Sequence, residues 1–202
     1  TGTGSAGTVA HGLGAVPQMY IIKRRSNTGN WYVFHKDIGN THRLRLDETS
    51  AKVDEAVAFN DTSPTSSVFS IGTSVDVNAD ANTYVAYVFA EVEGYSKIGF
   101  YTGNANADGP FVFTGFRPAW IIVKNTTAAG NSWHIMDNKR NTVNVVDNMQ
   151  FQSSAAEDTG SNTNFDLLSN GFKLRGTSQN DNDHNFIFMA FAEAPFKYAN
   201  SR

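Results

Sequence analysis

Five histidines are the residues of this chain best suited to acid–base or metal chemistry near neutral pH. No pair of them has a His-x-His or His-Glu-x-x-His spacing, which would place two ligands on one face. The chain contains no cysteine, so thiolate nucleophiles, disulfides and cysteine-ligated zinc are excluded. The sequence therefore does not indicate a catalytic or metal site at any of the histidines, which are His11, His35, His42, His134 and His184.

Oxygen ligands for a hard cation occur in two segments rich in Asn and Asp. Asp76 to Asp80 matches the first positions of a calcium-binding loop, but Ala81 replaces the required glycine and Tyr87 replaces the bidentate glutamate. The second segment, which consists of Asn180, Asp181, Asn182 and Asp183, offers similar ligands without a defining spacing. We expect no cofactor, and bound Ca²⁺ stays open as an alternative to plain turn residues.

Carboxylates that could face each other across a glycosidic bond are present, but without a signature. Glu91 and Glu193 end two similar segments, and residues repeated in this way are more simply explained by a shared structural role. The chain also lacks a Gly-x-Ser-x-Gly elbow, a phosphate-binding glycine loop and a dinucleotide fingerprint. We therefore predict that the protein is not an enzyme. The other candidate carboxylates are Asp37, Asp47, Glu93, Asp137 and Glu157.

Aromatic side chains could instead form a carbohydrate site, which needs an exposed ring plane and a few Asn, Asp or Arg groups. Trp31, Tyr32, Trp120 and Trp133 could supply the plane, and asparagine is abundant. Aromatics buried in a β-sheet core give the same pattern, so both interpretations stay open. The candidate ligand-binding residues are Trp31, Trp133, Asn180, Asp181, Asn182 and Asp183.

The charge balance argues against nucleic acid as a partner. The 202 residues carry a net charge of −3, and no basic cluster exceeds Lys23-Arg24-Arg25. Apolar runs reach about eight residues, far below the roughly twenty that span a bilayer, so we predict no membrane insertion. Thr1 to Thr8 is rich in Gly, Ser and Thr and has no signal-peptide pattern, so we expect it to follow on from a longer polypeptide.

Short β-rich runs separated by Gly, Asn, Asp and Ser clusters recur along the chain and predict an all-β fold, an antiparallel β-sandwich of jelly-roll type. Tyr84–Ala90 and Phe186–Ala192 are nearly continuous apolar runs, which are typical of central, covered strands. We expect the strands ending at Ile71 and Arg175 to pair with them as hairpins. Only Ser50–Phe59 could form a short helix. The remaining predicted strands are Met19–Arg24, Trp31–His35, Arg43–Leu46, Val68–Ile71, Phe111–Phe113, Trp120–Lys124, Trp133–Met136, Val143–Val146 and Phe172–Arg175.

The two halves of the chain repeat each other. Pro17–Lys23 corresponds to Pro118–Lys124, and the Asn-Thr pairs that begin at Asn40 and Asn141 are 101 residues apart. A repeat of about a hundred residues is the size of a small domain. We predict two β repeats packed together, either as two sandwiches or as one pseudo-symmetric domain. The expected boundaries are a lead-in over residues 1–10, a first repeat over 11–95 and a second repeat over 96–202.

The second half carries Gly-Phe-x-Pro and Trp-Ile-Ile-Val-Lys within Gly115–Arg140, followed by Asn141-Thr142, Ser169–Leu174 and Phe186–Glu193. This order resembles a repeat in virion proteins of tailed bacteriophages. The ending Ala192–Ala199 is similar to the C-terminal close of tail-fibre proteins, especially those of marine and cyanobacterial phages. The resemblance covers nearly the whole chain, with the first half less regular, and it brings no catalytic residues with it.

The resemblance implies a virion component, here most simply the C-terminal host-recognition module of a tail fibre or spike. Such fibres are usually homotrimers, so a homotrimer, contacts with other virion proteins and a host cell-surface glycan are expected by analogy. Specificity would then be carried by the polar loops Asn60–Ser67 and Ser153–Asn164. The alternative is a structural or decorative β domain of the tail or capsid without a ligand, and a third hypothesis is a polysaccharide depolymerase.

Overall fold

The computed structural model describes residues 1–151, 157–158 and 164–194. Within these ranges the chain forms sixteen β-strands and two four-residue helices, so the predicted all-β class is confirmed. No helix in the described ranges is long and apolar enough to cross a membrane. The chain divides into two compact units, Thr1–Ala90 (unit 1) and Glu91–Arg202 (unit 2).

Unit 1 contains seven strands and both helices. Its elements are β1 (Gly7–Ala10), β2 (Met19–Arg24), β3 (Trp31–His35), β4 (His42–Arg45), β5 (Val53–Asp54), α1 (Ala56–Phe59), β6 (Val68–Ile71), α2 (Val75–Asn78) and β7 (Tyr84–Phe89). A five-stranded sheet has the order β5-β4-β3-β2-β7, and a second sheet pairs β1 with β6. All of these pairs are antiparallel.

The core of unit 1 lies between its two sheets. Side chains alternate along a strand, so β2 and β3 each direct every second residue to the same face, Tyr20 and Ile22 from β2 and Phe34 from β3 among them. Tyr20 stacks on Phe34 with ring centroids 4.5 Å apart and on Phe69 of β6 at 4.7 Å. Phe59 of α1 packs edge-on against Tyr20. This contact between sheets is the sandwich arrangement expected from the sequence.

Unit 2 contains nine strands in the described ranges. They are β8 (Ser96–Thr102), β9 (Phe111–Phe113), β10 (Pro118–Asn125), β11 (His134–Asp137), β12 (Met149–Phe151), β13 (Glu157–Asp158), β14 (Phe165–Leu168), β15 (Gly171–Leu174) and β16 (Asn185–Ala192). A six-stranded sheet has the order β13-β12-β11-β10-β16-β8, and a second sheet has the order β14-β15-β9. Phe172 of β15 meets Phe188 of β16 edge-on at 5.3 Å, so the core again lies between two sheets.

Parts of the two units correspond: β3-β2-β7 and β11-β10-β16 follow the same order in the large sheets, and their central pairs have the same register. In unit 1, β2 pairs Ile21 with Tyr87, and in unit 2, β10 pairs Ile122 with Met189. The same correspondence relates the two smaller sheets, where Phe69 lies opposite Val9, as Phe172 lies opposite Val112. The equal register of these strand pairs, in the large sheets and in the small sheets, agrees with the predicted repeat. That the two halves arose by duplication stays a prediction.

The two long apolar strands differ in position. β16 is central, because β10 and β8 flank it, and five of its residues are buried in sequence. β7 is the edge strand of its sheet, and Ala86 and Tyr87 are exposed. The prediction of a central, covered strand is therefore right for β16 and wrong for β7, which lacks a counterpart of β8 in the described part of unit 1.

Three further predictions need correction. β6 and β15 do not form hairpins with β7 and β16, because the segments between them cross from the small sheet to the large one and so close the core. Val143–Val146 is not a strand, and only Val146 makes an isolated bridge, to Phe165. The predicted short helix in Ser50–Phe59 is present as α1, but it is not the only helical segment, because α2 also forms, and Asn60–Ser67 is a loop as predicted. Most of the predicted loop Ser153–Asn164 lies outside the described residues.

Candidate functional site

Two aromatic rings form an exposed pair on the large sheet of unit 1. Trp31 of β3 and Tyr87 of β7 have ring centroids 6.4 Å apart and planes that differ by 14°. The two strands lie on either side of β2, so the rings lean towards each other over it. Tyr87 is 46% exposed and Trp31 is half-buried. The pair thus leaves part of two nearly parallel aromatic rings open to solvent, most of it on Tyr87.

Polar groups border this pair. The Lys23 ammonium lies 5.9 Å from the centroid of the Trp31 ring, within the range of a cation–π interaction. It is held there by hydrogen bonds of 3.0 Å to the carbonyls of Arg24 and Gly29. The exposed Asp47 accepts the backbone N–H of Trp31 at 3.0 Å. We refer to Trp31, Tyr87 and Lys23 together as the aromatic surface.

Unit 2 does not duplicate the aromatic surface. Its corresponding residues are Trp133, Met189 and Lys124, and all three are buried. The Lys124 ammonium donates to the Asn125 carbonyl at 2.8 Å, much as Lys23 donates to the carbonyl of Arg24. Burial lowers the pKa of Lys124 to about 8. The predicted ligand-binding residue Trp133, 1% exposed, thus lies inside the fold of unit 2.

Asn180, also predicted to bind a ligand, is fully buried and fastens two loops together. Its Nδ2 donates to the carbonyls of Asn106 and Gly176 at 2.7 and 3.0 Å, and its Oδ1 accepts the backbone N–H of Asn104 at 2.9 Å. A ligand that binds at the surface cannot reach this side chain, because it has no solvent exposure. The structure brings Asn180 together with the segment that follows β8 and not with Trp31 or Trp133.

Asn78 makes the same contacts in unit 1. Its Oδ1 accepts the N–H of Thr3 at 2.9 Å, and its Nδ2 donates to the carbonyls of Ser5 and Gly72 at 2.7 and 2.9 Å. It too is fully buried. One buried asparagine in each unit therefore holds a loop segment, residues 3–5 in unit 1 and the segment after β8 in unit 2, and we call this arrangement the asparagine latch.

The rest of the predicted loop is more accessible. Asn182 and Asp183 are exposed, and the Asn182 amide donates to Asp183 Oδ2 at 2.6 Å. Half-buried Asp181 has its Oδ2 3.8 Å from His184 Nδ1, which lies 3.0 Å from the amide nitrogen of buried Asn125. These contacts tie the loop to β10 and leave carboxylates at the surface.

The calcium-like segment Asp76–Asp80 forms α2 and the turn after it. Asp76 is buried and accepts the backbone N–H of Asn30 at 3.1 Å, with the Arg24 guanidinium 3.7 Å away. Its carboxylate thus holds the β2–β3 loop. Across the described ranges, no three His, Cys, Asp or Glu side chains come together as metal ligands.

The candidate carboxylates at the matching strand ends are held in ion pairs. Glu91 lies 3.0 Å from the Lys97 ammonium and accepts the backbone N–H of Ile98 at 3.0 Å. Glu193 lies 3.0 Å from the Arg117 guanidinium and accepts the Asn138 amide at 2.8 Å. The two have different partners, so the expected identical structural role is not what these contacts show. Glu157 has no described side chain.

A network of ion pairs in unit 1 was not anticipated from the sequence. The guanidinium groups of Arg43 and Arg45 both lie 5.2 Å from the ring centroid of Tyr32. The Tyr32 hydroxyl donates to Glu55 at 2.9 Å, Arg43 bonds the same carboxylate at 2.7 Å, and Arg45 bonds Glu48 at 2.6 Å. The bonds to Glu55 tie β3 and β4 to the residue before α1. The network contains two arginines and two glutamates, so its charges balance.

Unit 2 also contains a buried polar cluster formed by His134 of β11, Tyr101 of β8 and Gln179 from the segment between β15 and β16. The side-chain nitrogen of Gln179 lies 3.3 Å from His134 Nε2, and the backbone carbonyl of Gln179 accepts a hydrogen bond from the Tyr101 hydroxyl at 2.8 Å. Burial, with Lys124 nearby, lowers the pKa of His134 to about 4. Its imidazole is neutral at physiological pH and belongs to the interior of the unit.

The sequence predicted only one of the two rings of the aromatic surface. Trp31 was a candidate because tryptophan supplies a ring plane, but Tyr87 was hidden in an apolar run that predicts a covered strand. The usable signal was the comparison of the halves, since tyrosine stands at position 87 where the second half has Met189.

Comparison with known proteins adds a family and no activity. A family model described as "Domain of unknown function (DUF7483)" matches residues 1–195. No curated protein and no solved structure matches the chain. Because the model spans both units almost from end to end, the chain belongs to the DUF7483 family.

Proposed function

We propose that this chain is a recognition module without catalytic activity, which binds a bacterial cell-surface glycan through the aromatic surface of unit 1. The observation that carries the proposal is the nearly parallel pair formed by the half-buried Trp31 and the exposed Tyr87. Sugars present one face of C–H groups, which pack against aromatic planes, while their hydroxyls need polar groups at the border. The Lys23 ammonium stands at the border of the Trp31 ring, and the Asp47 carboxylate lies at the Trp31 backbone.

The geometry favours this surface over the predicted loop at positions 180–183. The Asn180 side chain is buried and already makes the hydrogen bonds of the asparagine latch, and Trp133 is buried as well. The exposed loop residues Asn182 and Asp183 have polar groups but no exposed tryptophan plane among the contacts described above. A stacking platform on a rigid sheet loses little conformational entropy on binding, which favours affinity.

The sequence resemblance supports placing this module on the virion of a tailed phage, at the end of a tail fibre or spike. Gold-labelled antibody raised against the purified chain should mark the fibre or tail tips of intact particles. Label along the capsid or tail shaft would contradict a host-recognition role. Absence of label from every particle would contradict the virion assignment itself.

Binding is tested by a panel of polysaccharides from marine and cyanobacterial strains. Trp31→Ala and Tyr87→Ala should each weaken binding about tenfold or more, because a central aromatic contact is commonly worth that much. Tyr87→Phe keeps the ring and should bind nearly as well as the wild type. Phe113→Ala is a matched control, since Phe113 is 63% exposed but lies on β9 of unit 2. Equal binding by all folded variants would reject the aromatic surface.

A second candidate is a structural β domain without a ligand. The buried Trp133 and the two asparagine latches favour it, because the residues shared by the halves serve folding. Under this alternative no polysaccharide binds and Tyr87→Ala leaves attachment of particles to cells unchanged.

A further inference from the structure

The outer edge of β7 carries backbone groups without a partner in the described chain. The Arg25 N–H donates to the Thr83 carbonyl at 2.8 Å, so the ladder between β2 and β7 uses Thr83 and every second residue after it. The N–H and C=O groups of Tyr84, Ala86 and Val88 therefore point away from β2. Among the described residues no strand pairs with this edge.

The same edge is occupied in unit 2. β8 runs antiparallel along β16, with Phe186 opposite Tyr101 and Phe188 opposite Gly99. The ladder begins where the Gly103 N–H donates to the His184 carbonyl at 2.9 Å, immediately after β8 ends at Thr102. The edge of β16 that corresponds to the open edge of β7 is thus covered by the strand that leads into Gly103.

Unit 1 makes the first bonds of that ladder. The Gly2 N–H donates to the Asn82 carbonyl at 2.7 Å, and the Ala81 N–H donates back to the Gly2 carbonyl at 3.1 Å. In unit 2, Asp183 donates to the Gly103 carbonyl at the same distance, 3.1 Å. Ala81 and Asp183 both have a φ of 58°, so the turns match as well. Thr1 therefore stands where the last residue of a β8-like strand belongs.

We propose that β7 is a strand acceptor, and that its occupant is an antiparallel β-strand that runs directly into Thr1. Six residues ahead of Thr1 would lie along β7 as Ser96–Tyr101 lie along β16, and would pair with the backbone of Tyr84, Ala86 and Val88. Open edges of this kind are a hazard for aggregation, which covering removes. Strand addition of this type is a recurrent way in which proteins join segments.

The register of β8 on β16 also indicates which types of residue the incoming strand should carry. In unit 2, Ile98 lies opposite Met189, so an apolar residue of the incoming strand should face Tyr87. Alternate positions must supply backbone N–H groups and cannot be proline. The strand would then flank the aromatic surface, but the inference rests on backbone geometry alone and stands whether or not a glycan binds.

The test joins the β8 sequence Ser-Lys-Ile-Gly-Phe-Tyr directly ahead of Thr1 in the full chain. Amide exchange of Ala86 and Val88, followed by NMR, should slow about tenfold or more, because exchange then requires the added strand to open. Amides of β10 serve as an internal reference for the intact fold. A matched control replaces the added lysine and glycine by prolines, which removes the N–H groups that face β7, and should show no protection.

A second format guards against a fusion that disturbs folding. The free peptide Ser-Lys-Ile-Gly-Phe-Tyr-Thr, added to the unaltered chain at millimolar concentration, should shift and protect the same amides. Failure of both formats would overturn the acceptor, as would equal protection by the proline control. Protection by the free peptide but not by the well-folded fusion would overturn the connection through Thr1.

Discussion

Asn78 holds residues 3–5 of unit 1, and Asn180 holds the segment after β8 in unit 2, each through three side-chain hydrogen bonds or more and from a position with no solvent exposure. Removing such an amide leaves one buried carbonyl, of Gly72 or Gly176, and further part-buried backbone groups without their partner, and a buried polar group left unpaired costs about 1 to 3 kcal/mol. Asparagine in these segments was considered as a ligand for sugar or calcium, but its burial makes it a structural element.

We expect Asn180→Ala to lower the free energy of unfolding by about 2 to 4 kcal/mol, and Asn78→Ala to do the same in unit 1. Asn182→Ala is the matched control, because this neighbouring side chain is exposed, and it should change stability by less than about 0.5 kcal/mol. Chemical denaturation followed by circular dichroism measures all three. Equal stabilities for Asn180→Ala and Asn182→Ala would contradict the latch.

His134 predicts a dependence of stability on pH. Its pKa falls from 6.5 to about 4 on folding, so between these values the unfolded chain binds a proton that the folded chain does not. Stability should be fully present above about pH 6.5 and decrease as the pH falls towards 4, by about 3 kcal/mol from this residue.

The measurement compares the wild type with His134→Leu, which cannot titrate at this position. The difference between their free energies of unfolding should change by about 3 kcal/mol between pH 7 and pH 4, in the direction that favours the variant at low pH. A difference that stays constant over this window would show that the imidazole is not protected from protonation.

The sequence could not predict the burial and the role of individual side chains. Trp31 and Trp133 occupy equivalent positions, and no local pattern distinguishes the half-buried ring from the buried one. Asparagine side chains bind sugars and fasten loops with the same amide chemistry, so composition could not assign Asn180. The spacing of 102 residues between Asn78 and Asn180 was the available sign of a shared structural role.

At the scale of elements, alternation of apolar residues located most strands well, and the predicted bounds of β2, β3, β6 and β9 agree with the structure. The strands that went unpredicted, such as β8 and β14, are interrupted by Gly, Ser or Asp, or lie beside turns. Pairing was harder, because hairpins are the commonest link between strands and here the chain crosses between sheets.

Gly103 marks the crossing that follows β8. A Cβ atom there would lie far inside contact distance of the Asp181 carbonyl oxygen, so only glycine allows this close approach. Gly103→Ala should lower the free energy of unfolding by about 2 to 4 kcal/mol. Gly7→Ala is the control, because its nearest neighbour would be 3.9 Å away. Thermal denaturation of the two variants checks this, and a Gly103→Ala protein as stable as Gly7→Ala would contradict the constraint.

At the scale of the whole molecule, two units share one plan and differ at the places where function is expected. Both units have an asparagine latch, a lysine at the corresponding position (Lys23 and Lys124) and the same register of the central strands. Tyr87 in place of Met189, and an open edge on β7 in place of the β8 ladder, belong to unit 1 alone. The shared features have structural roles, and we therefore propose that binding depends on the features that only unit 1 carries.

The most direct test of this account is an NMR titration of the indole N–H signals with a polysaccharide that binds the chain. We predict a saturable shift of the Trp31 signal that is lost in Tyr87→Ala, while the signal of the buried Trp133 stays in place. Saturable shifts confined to the backbone of Asp181, Asn182 and Asp183, with Trp31 unchanged, would contradict recognition through the aromatic surface.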